Sequence, residues 1–259
     1  MLPVVACAPR GLTLPTGAGV PLPDAAAVYQ RAVAACSAVQ TMTAELGLSG
    51  RVGRRSLRAR LLAGLAPAAL RLEAVAPFGP PVFILAADRD RSILFLPREE
   101  RVLSGATPSA ILEALTGVEL SPDELRAILA GCPGAGLRPV TGRTYGNDWA
   151  AIDLADHGAM TIYLRRMAGD WRVVAAVDSR RRIEYSEHDP STHTPVRIRV
   201  LALGSDPSRA KADLRVNVSQ IDLKTLLDPA AFTVKVPADA VPLTLEELRA
   251  SGPLGQSGT

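Results

Sequence analysis

The sequence predicts an α+β fold that is mostly antiparallel β. It is an unclosed or half β-barrel of about 11–13 strands, with helices covering its concave face. Three observations lead there. Apolar residues recur with period two over most of the chain: in Leu57-Arg58-Ala59-Arg60-Leu61 the apolar residues share one face and the arginines the other. The connections between successive runs are short, which demands antiparallel neighbours. A long antiparallel meander must curl or close to hide its edges, and a first helix and an inserted helical pair can cover the curved sheet.

The elements follow in order. Asp24 is an N-cap residue type, and Ala25–Val39 has high helix propensity with Val28, Ala32, Cys36 and Val39 on one face. About six strands come next: Thr41–Arg51, the 57–61 run, Leu70–Ala74, Val82–Ala86, Ile93–Leu96 and Arg101–Ser104. Val82–Ala86 is apolar throughout, as in a strand covered on both faces. Their connections include Gly53-Arg54-Arg55, Pro77-Phe78-Gly79-Pro80, Asp88-Arg89-Asp90-Arg91 and Arg98-Glu99-Glu100. A helical hairpin then interrupts. Thr107 caps its first helix, with Pro108 at the first helical position. Ser121-Pro122-Asp123-Glu124 is a capping box for the second helix, which Gly131 and Pro133 end. Strands resume at Trp149–Leu154, Met160–Arg166, Trp171–Asp178, Arg181–Glu187, Val196–Leu203 and Ala212–Asp222, with turn signals at Asp156-His157-Gly158, Ala168-Gly169-Asp170 and Gly204-Ser205-Asp206-Pro207. Phe232–Val236 is a candidate last edge strand, and Thr244 with Glu247 opens a short C-terminal helix.

Composition narrows the function. With 47% apolar and 21% charged residues over 259 positions, the chain has the make-up of a folded protein. A net charge of +3 is too small for a dedicated nucleic-acid binder, so no nucleic acid is expected as partner. Three cysteines exclude a disulfide-stapled miniprotein and a four-cysteine zinc site. No apolar run approaches the roughly 20 residues of a membrane-spanning helix.

The ends read differently from the middle. Val4-Val5-Ala6-Cys7 resembles the close of a bacterial lipobox, in which the Cys is the lipid attachment site. Residues 1–7 are therefore expected to be a truncated signal remnant. Residues 8–23, rich in Pro, Gly, Thr and Ala, are expected to be a flexible tether, residues 24–250 a single domain, and residues 251–259 a disordered tail.

An enzyme is not expected. The chain has no G-x-S-x-G, no phosphate-binding glycine loop and no H-x-x-x-H. Glu187, His188, Asp189 and His193 are residue types that hold metals, but their spacing fits no helix-face ligand pair and Asp189-Pro190-Ser191-Thr192 reads as a turn. No catalytic residue, metal or cofactor is assigned.

In element order over about residues 24–250 the chain resembles the LolA/LolB/LppX-type lipoprotein carriers, and within them LolB-like outer-membrane lipoproteins. The resemblance rests on Val4–Cys7, on Leu70-Arg71-Leu72-Glu73 followed by Ala76-Pro77-Phe78-Gly79, on Leu120–Leu125, and on Leu243-Thr244-Leu245-Glu246-Glu247-Leu248-Arg249. It implies a lidded apolar cavity holding acyl chains of lipoproteins or related lipids. It implies a membrane contact through the lipid anchor, a periplasmic carrier protein as a candidate partner, and a monomer in the cell envelope, at the outer membrane facing the periplasm. It also implies that the apolar residue before Gly in a strand-to-strand loop projects toward membrane or client. Here that residue is Phe78, flanked by prolines that stiffen the loop. The alternative is a Phe folded over the sheet edge. The chain is longer than LolB, which leaves the client open.

An acyl carrier needs space. Burying a long chain, at about 0.8 kcal/mol per methylene, is worth on the order of 10 kcal/mol. A curved sheet with few aromatic fillers can provide room. Candidate lining residues from the sheet are Leu46, Leu48, Leu61, Leu72, Ile84, Leu94, Ile162, Val173 and Ile198. From the lid they are Ile111, Leu112, Leu115, Leu125 and Ile128. The alternatives are a packed sandwich core without ligand and a structural or interaction lipoprotein using the same fold. Cys36 and Cys132 are a possible disulfide in an oxidising compartment, with Cys7 left over for the lipid; two buried free thiols fit the sequence equally.

Overall fold

The computed structural model describes residues 11–89, 91–155, 159–204, 210–252 and 254. The lipobox-like residues with Cys7, the turn at 156–158, most of the turn at 204–207 and residues 255–259 lie outside the described residues.

The described residues form one sheet with helices on its concave side. In chain order the elements are β1 (Val20–Pro21), α1 (Ala25–Ser37), β2 (Met42–Val52), β3 (Arg55–Ala66), β4 (Ala69–Val75), β5 (Phe83–Asp88), β6 (Arg91–Leu96) and β7 (Arg101–Ser104). The hairpin α2 (Pro108–Thr116) and α3 (Pro122–Ala130) follows. Then come β8 (Arg138–Tyr145), β9 (Trp149–Ala155), β10 (Met160–Met167), β11 (Asp170–Val177), β12 (Arg181–His188), β13 (Pro195–Leu203) and β14 (Ala210–Asp222). A short 3-10 helix (Pro229–Phe232), β15 (Val241–Pro242) and α4 (Leu245–Ser251) end the order.

The sheet runs β1-β8-β9-β10-β11-β12-β13-β14-β2-β3-β4-β5-β6-β7-β15, 15 strands in one open order. Two meanders are thus joined where β14 pairs with β2. Every pair is antiparallel except β15 with β7. This is the unclosed, helix-covered α+β fold expected from the alternation and the short connections.

Register builds the apolar concave face. Leu85 opposes Leu72 and Leu94, and Leu46 opposes Leu61 and Val218. Val216 opposes Leu48 and Ile198, and Ile162 opposes Ile152 and Ala176. A register shift at Tyr163/Leu164 puts Val173 opposite Leu164, which returns Val173 to the inner face. The outer face carries ion pairs, such as Arg60 with Glu45 at 2.5 Å and Arg199 with Asp213 at 2.8 Å.

The structure departs from the sequence reading in several places. β8 was not expected; Pro139 and Gly142 interrupt its alternation. Gly142 is needed there, because a Cβ would lie 2.5 Å from Cβ of Ala25 in α1. Phe232–Val236 is no strand: the 3-10 helix ends at Phe232 and irregular chain follows. That segment lies on the outer face of β4 and β5, where Arg71 donates to the carbonyls of Ala231 (3.0 Å) and Thr233 (2.9 Å). Asp24 stands at the N-cap of α1, but its side chain makes no capping bond, and the buried face of α1 includes Ala25, Tyr29 and Val33 beside Val28. The described part of the expected tether is laid against the sheet. Leu12 donates to Glu184 at 3.5 Å, Arg182 donates to the Leu12 carbonyl, and β1 pairs with β8. Within the expected tail, Leu254 is buried in the core.

Candidate functional site

The site is the centre of the concave face under α2 and α3. Local sequence sets both helices as expected. Thr107 Oγ1 accepts from the Ala110 amide at 3.2 Å, and Gly117 ends α2 in the left-handed conformation. Ser121 and Glu124 form a reciprocal capping box, and Gly131 closes α3.

Beneath them lies a void of about 80 Å³, lined by side chains of α2, α3, the connection between them, β2, β3, β4, β13 and β14. Of the residues expected to line a cavity, Leu46, Leu48, Leu61, Leu72, Leu112, Leu125, Ile128 and Ile198 surround this void. Leu94, Ile111, Leu115, Ile162 and Val173 belong to the same core but lie away from it. Ile84 is a correction. It opposes Glu73, so it faces the outer side of β5 under the 3-10 segment, and Phe83 and Leu85 point inward. A run apolar on both faces carries no parity signal, and the choice between Ile84 and Leu85 was set by the pairing with β4. Sequence reading missed Thr116, Val118, Leu120, Leu129, Val200, Leu214 and Val216. Val200 shares the inward parity of Ile198 on β13, and Leu214 and Val216 lie opposite Val200 and Ile198 on β14. The alternation along both strands is a signal the sequence did contain.

The void is small. Ligand pockets typically span about 300–1,000 Å³. An engineered apolar cavity of about 150 Å³ takes up benzene. In this arrangement the space under α2 and α3 is largely filled, in contrast to the roomy cavity expected.

The lid is fastened by polar contacts at its rim. Arg181 points inward from β12 and is 5% exposed. It donates to Asp178 at 3.2 Å, to the Glu119 carbonyl at 3.1 Å and to Glu124 in the first turn of α3. Burial opposes the charge on Glu124, but the bonds from Arg181 and the Ser121 amide outweigh it and hold its carboxyl below the usual range. Arg126 on α3 donates to the Val39 and Gln40 carbonyls at 2.7 and 3.1 Å and to Asp123 at 2.7 Å. Tyr185 donates to the Ile128 carbonyl at 3.0 Å, and burial pushes its hydroxyl well above the usual range. On α2, Glu113 binds Lys211 at 2.7 Å and Arg249 of α4 at 3.5 Å. Cys36 and Cys132 form a disulfide, Cα–Cα 5.7 Å, that ties α1 to the chain just past α3. This decides between the two alternatives the sequence left open.

Phe78 is 88% exposed on the loop between β4 and β5. Arg98 fixes that loop by donating to the carbonyls of Phe78 (2.7 Å) and Pro80 (3.3 Å). Among the metal-type residues, Asp189 spends its carboxylate on a turn, accepting from the Ser191 amide at 2.9 Å and the Thr192 amide at 2.8 Å.

No protein-family model matches the chain, and no curated protein matches it in sequence. Solved structures share its fold. A LolA-superfamily protein from Nitrosomonas europaea aligns with a TM-score of 0.57 at 10% identity, over 81% of this chain and 97% of that one. A DUF1329-family protein from Desulfovibrio piger aligns with a TM-score of 0.54 at 13% identity, over 80% and 96%. A domain named for outer membrane lipoprotein sorting from Vibrio parahaemolyticus aligns with a TM-score of 0.52 at 9% identity, over 80% and 94%. At these identities the likeness is one of fold.

Proposed function

We propose that this chain is a LolB-like, lipid-anchored envelope protein, attached through Cys7, that binds acyl chains of lipoproteins or related lipids under α2 and α3. In this reading it helps to localise or insert them at the outer membrane. One observation carries the proposal: the void is lined by apolar side chains yet covered by a lid fastened through arginine and carboxylate contacts at its rim. A core selected for stability alone is served by packing. A lid held by polar contacts at its rim can exchange those contacts for water when it lifts, and the apolar face below then accepts hydrocarbon. The disulfide fixes the chain just past α3, so the moving part is α2 and the start of α3. A periplasmic carrier is the natural donor, Phe78 the contact to membrane or client, and the acting form a monomer.

The test is native mass spectrometry of the Cys7→Ser chain, exported to a bacterial periplasm behind a fused signal peptide. The expected result is an added mass of an acylated molecule, lost on delipidation and regained from a purified lipoprotein. A clean apo mass with no uptake of added lipoprotein sinks the carrier reading. The small closed void favours a second reading in that case, an envelope interaction lipoprotein with a filled core.

A further inference from the structure

A second pocket, of about 640 Å³, opens between α1, the β10–β11 turn and the β12–β13 turn. It is distinct from the apolar void and shares none of its lining. Its wall carries Arg31 from α1, Arg166 from β10, Arg172 from β11, His188 from the end of β12 and His193 from the β12–β13 turn; Asp170 is its one acid. Several arginines of the sheet meet carboxylates, as Arg60, Arg143, Arg182 and Arg199 do, while Arg51, Arg58 and Arg165 make no ion pair among the described residues and lie outside this pocket. Arg31, Arg166 and Arg172 make no ion pair among the described residues. Arg166 lies over the ring of Trp171, 4.6 Å from its centroid, which orders the guanidinium without neutralising it. The Thr192 and Thr194 hydroxyls, 2.7 Å apart, stand at the same wall. Three arginines against Asp170 leave a net charge of +2 before the histidines are counted. Arg31 and Arg166 are exposed and Arg172 is half-buried, so solvent reaches all three; a concave wall of like charge still concentrates positive potential and attracts an anion of matching charge. A single carboxylate covers half of it. A phosphomonoester, with a charge of about −1.5 to −2 and three acceptor oxygens, covers it and suits the planar forks of arginine.

We propose that this pocket is a phosphomonoester-binding site, filled by a phosphorylated lipid headgroup or by a soluble phosphate. The site stands whether or not the apolar core takes up an acyl chain. The purified Cys7→Ser chain is titrated calorimetrically with inorganic phosphate, and in parallel floated with phosphatidylcholine vesicles with and without phosphatidic acid. The variants are Arg31→Gln, Arg172→Gln and, outside the pocket, Arg54→Gln. Arg31 is exposed, so its replacement leaves the fold intact, and melting curves check each variant. The expected result is saturable binding weakened about tenfold or more by Arg31→Gln and by Arg172→Gln, with Arg54→Gln unchanged. Binding of inorganic phosphate assigns a soluble ligand; flotation with phosphatidic acid alone assigns a headgroup. No binding of either probe, or equal losses in Arg54→Gln, overturns the site.

Discussion

Burying a guanidinium costs several kcal/mol unless its donors are met, and Arg181 meets them with Asp178, Glu124 and a carbonyl of the lid. Removing one partner of such a pair costs about 3–5 kcal/mol when both are buried. Glu124 keeps part of its side chain in solvent, so Arg181→Gln is expected to cost about 2 kcal/mol in urea denaturation. The same variant should take up a fluorescent fatty acid faster, because the start of α3 is released; unchanged uptake shows that this contact does not gate the core. The pH dependence follows from the sign of the shift. The Glu124 carboxyl is held below its unfolded value of about 4.3, so its contribution is complete above that pH and is lost as pH falls through the lower folded value. Acid should therefore loosen the lid, and Glu124→Gln should flatten that dependence. Phe78→Glu is expected to leave the melting curve unchanged, because the residue is largely exposed, and to reduce transfer of an acylated client to vesicles; unchanged transfer removes the role given to this loop. The exposure of Phe78 was half legible: its proline neighbours and the resemblance favoured an outward ring, and a ring folded over the sheet edge fitted the sequence equally. Arg181 was legible in principle, since it shares inward parity with Ile183 and Tyr185. With arginines at 180 and 182 beside it and a turn just before it, the sequence alone favours a solvated strand face for Arg181, and the structure buries it instead.

Among elements, α1 shows how a helix is fixed by one close approach and one covalent bond. Gly142 lets α1 settle on β8, and Gly142→Ala places a methyl against Ala25. Overpacking of this kind costs about 1–3 kcal/mol. The double variant Gly142→Ala with Ala25→Gly should recover most of it, and a denaturation cycle that finds simple additivity places the strain elsewhere. The disulfide closes a sequence separation of 96 residues. In the chain-entropy account a loop of that length is worth about 4–5 kcal/mol. Reduction, or Cys36→Ser, should lower the melting temperature by about 10 °C or more, and a shift below a few degrees shows that the helices hold without it. Helix boundaries were the most legible feature of the sequence, because caps act locally: Thr107, Ser121 with Glu124, and Thr244 with Glu247 all cap as expected. β8 and the two-residue edge strands were not, because long-range pairing defines them and their residues carry little pattern of their own. Asp24 fits the cap pattern and fails to cap, since the preference concerns residue type and the bond depends on the local backbone.

For the whole molecule, alternation and loop length specify an open sheet with a covered concave face, but the volume left inside depends on how all the inward side chains sum. No local signal reports that sum, and an expected cavity became a void of about 80 Å³. The difference matters for the proposed function, because in that reading a filled resting core must exchange side-chain packing for ligand packing. Ligand that binds the folded chain alone stabilises it by mass action, about 2.7 kcal/mol at a hundredfold excess over its dissociation constant. For a domain of this size that is a rise of roughly 5–10 °C in melting temperature. Val216→Phe fills the void from the β14 side, opposite Leu48 and Ile198. It should leave the apo melting temperature within a few degrees of wild type, since filling a void offsets the added bulk. It should also abolish the lipid-induced rise, because the hydrocarbon and the new ring compete for one space. If Val216→Phe keeps the full rise with added fatty acid, lipid binds outside the core, and the lidded face serves stability alone.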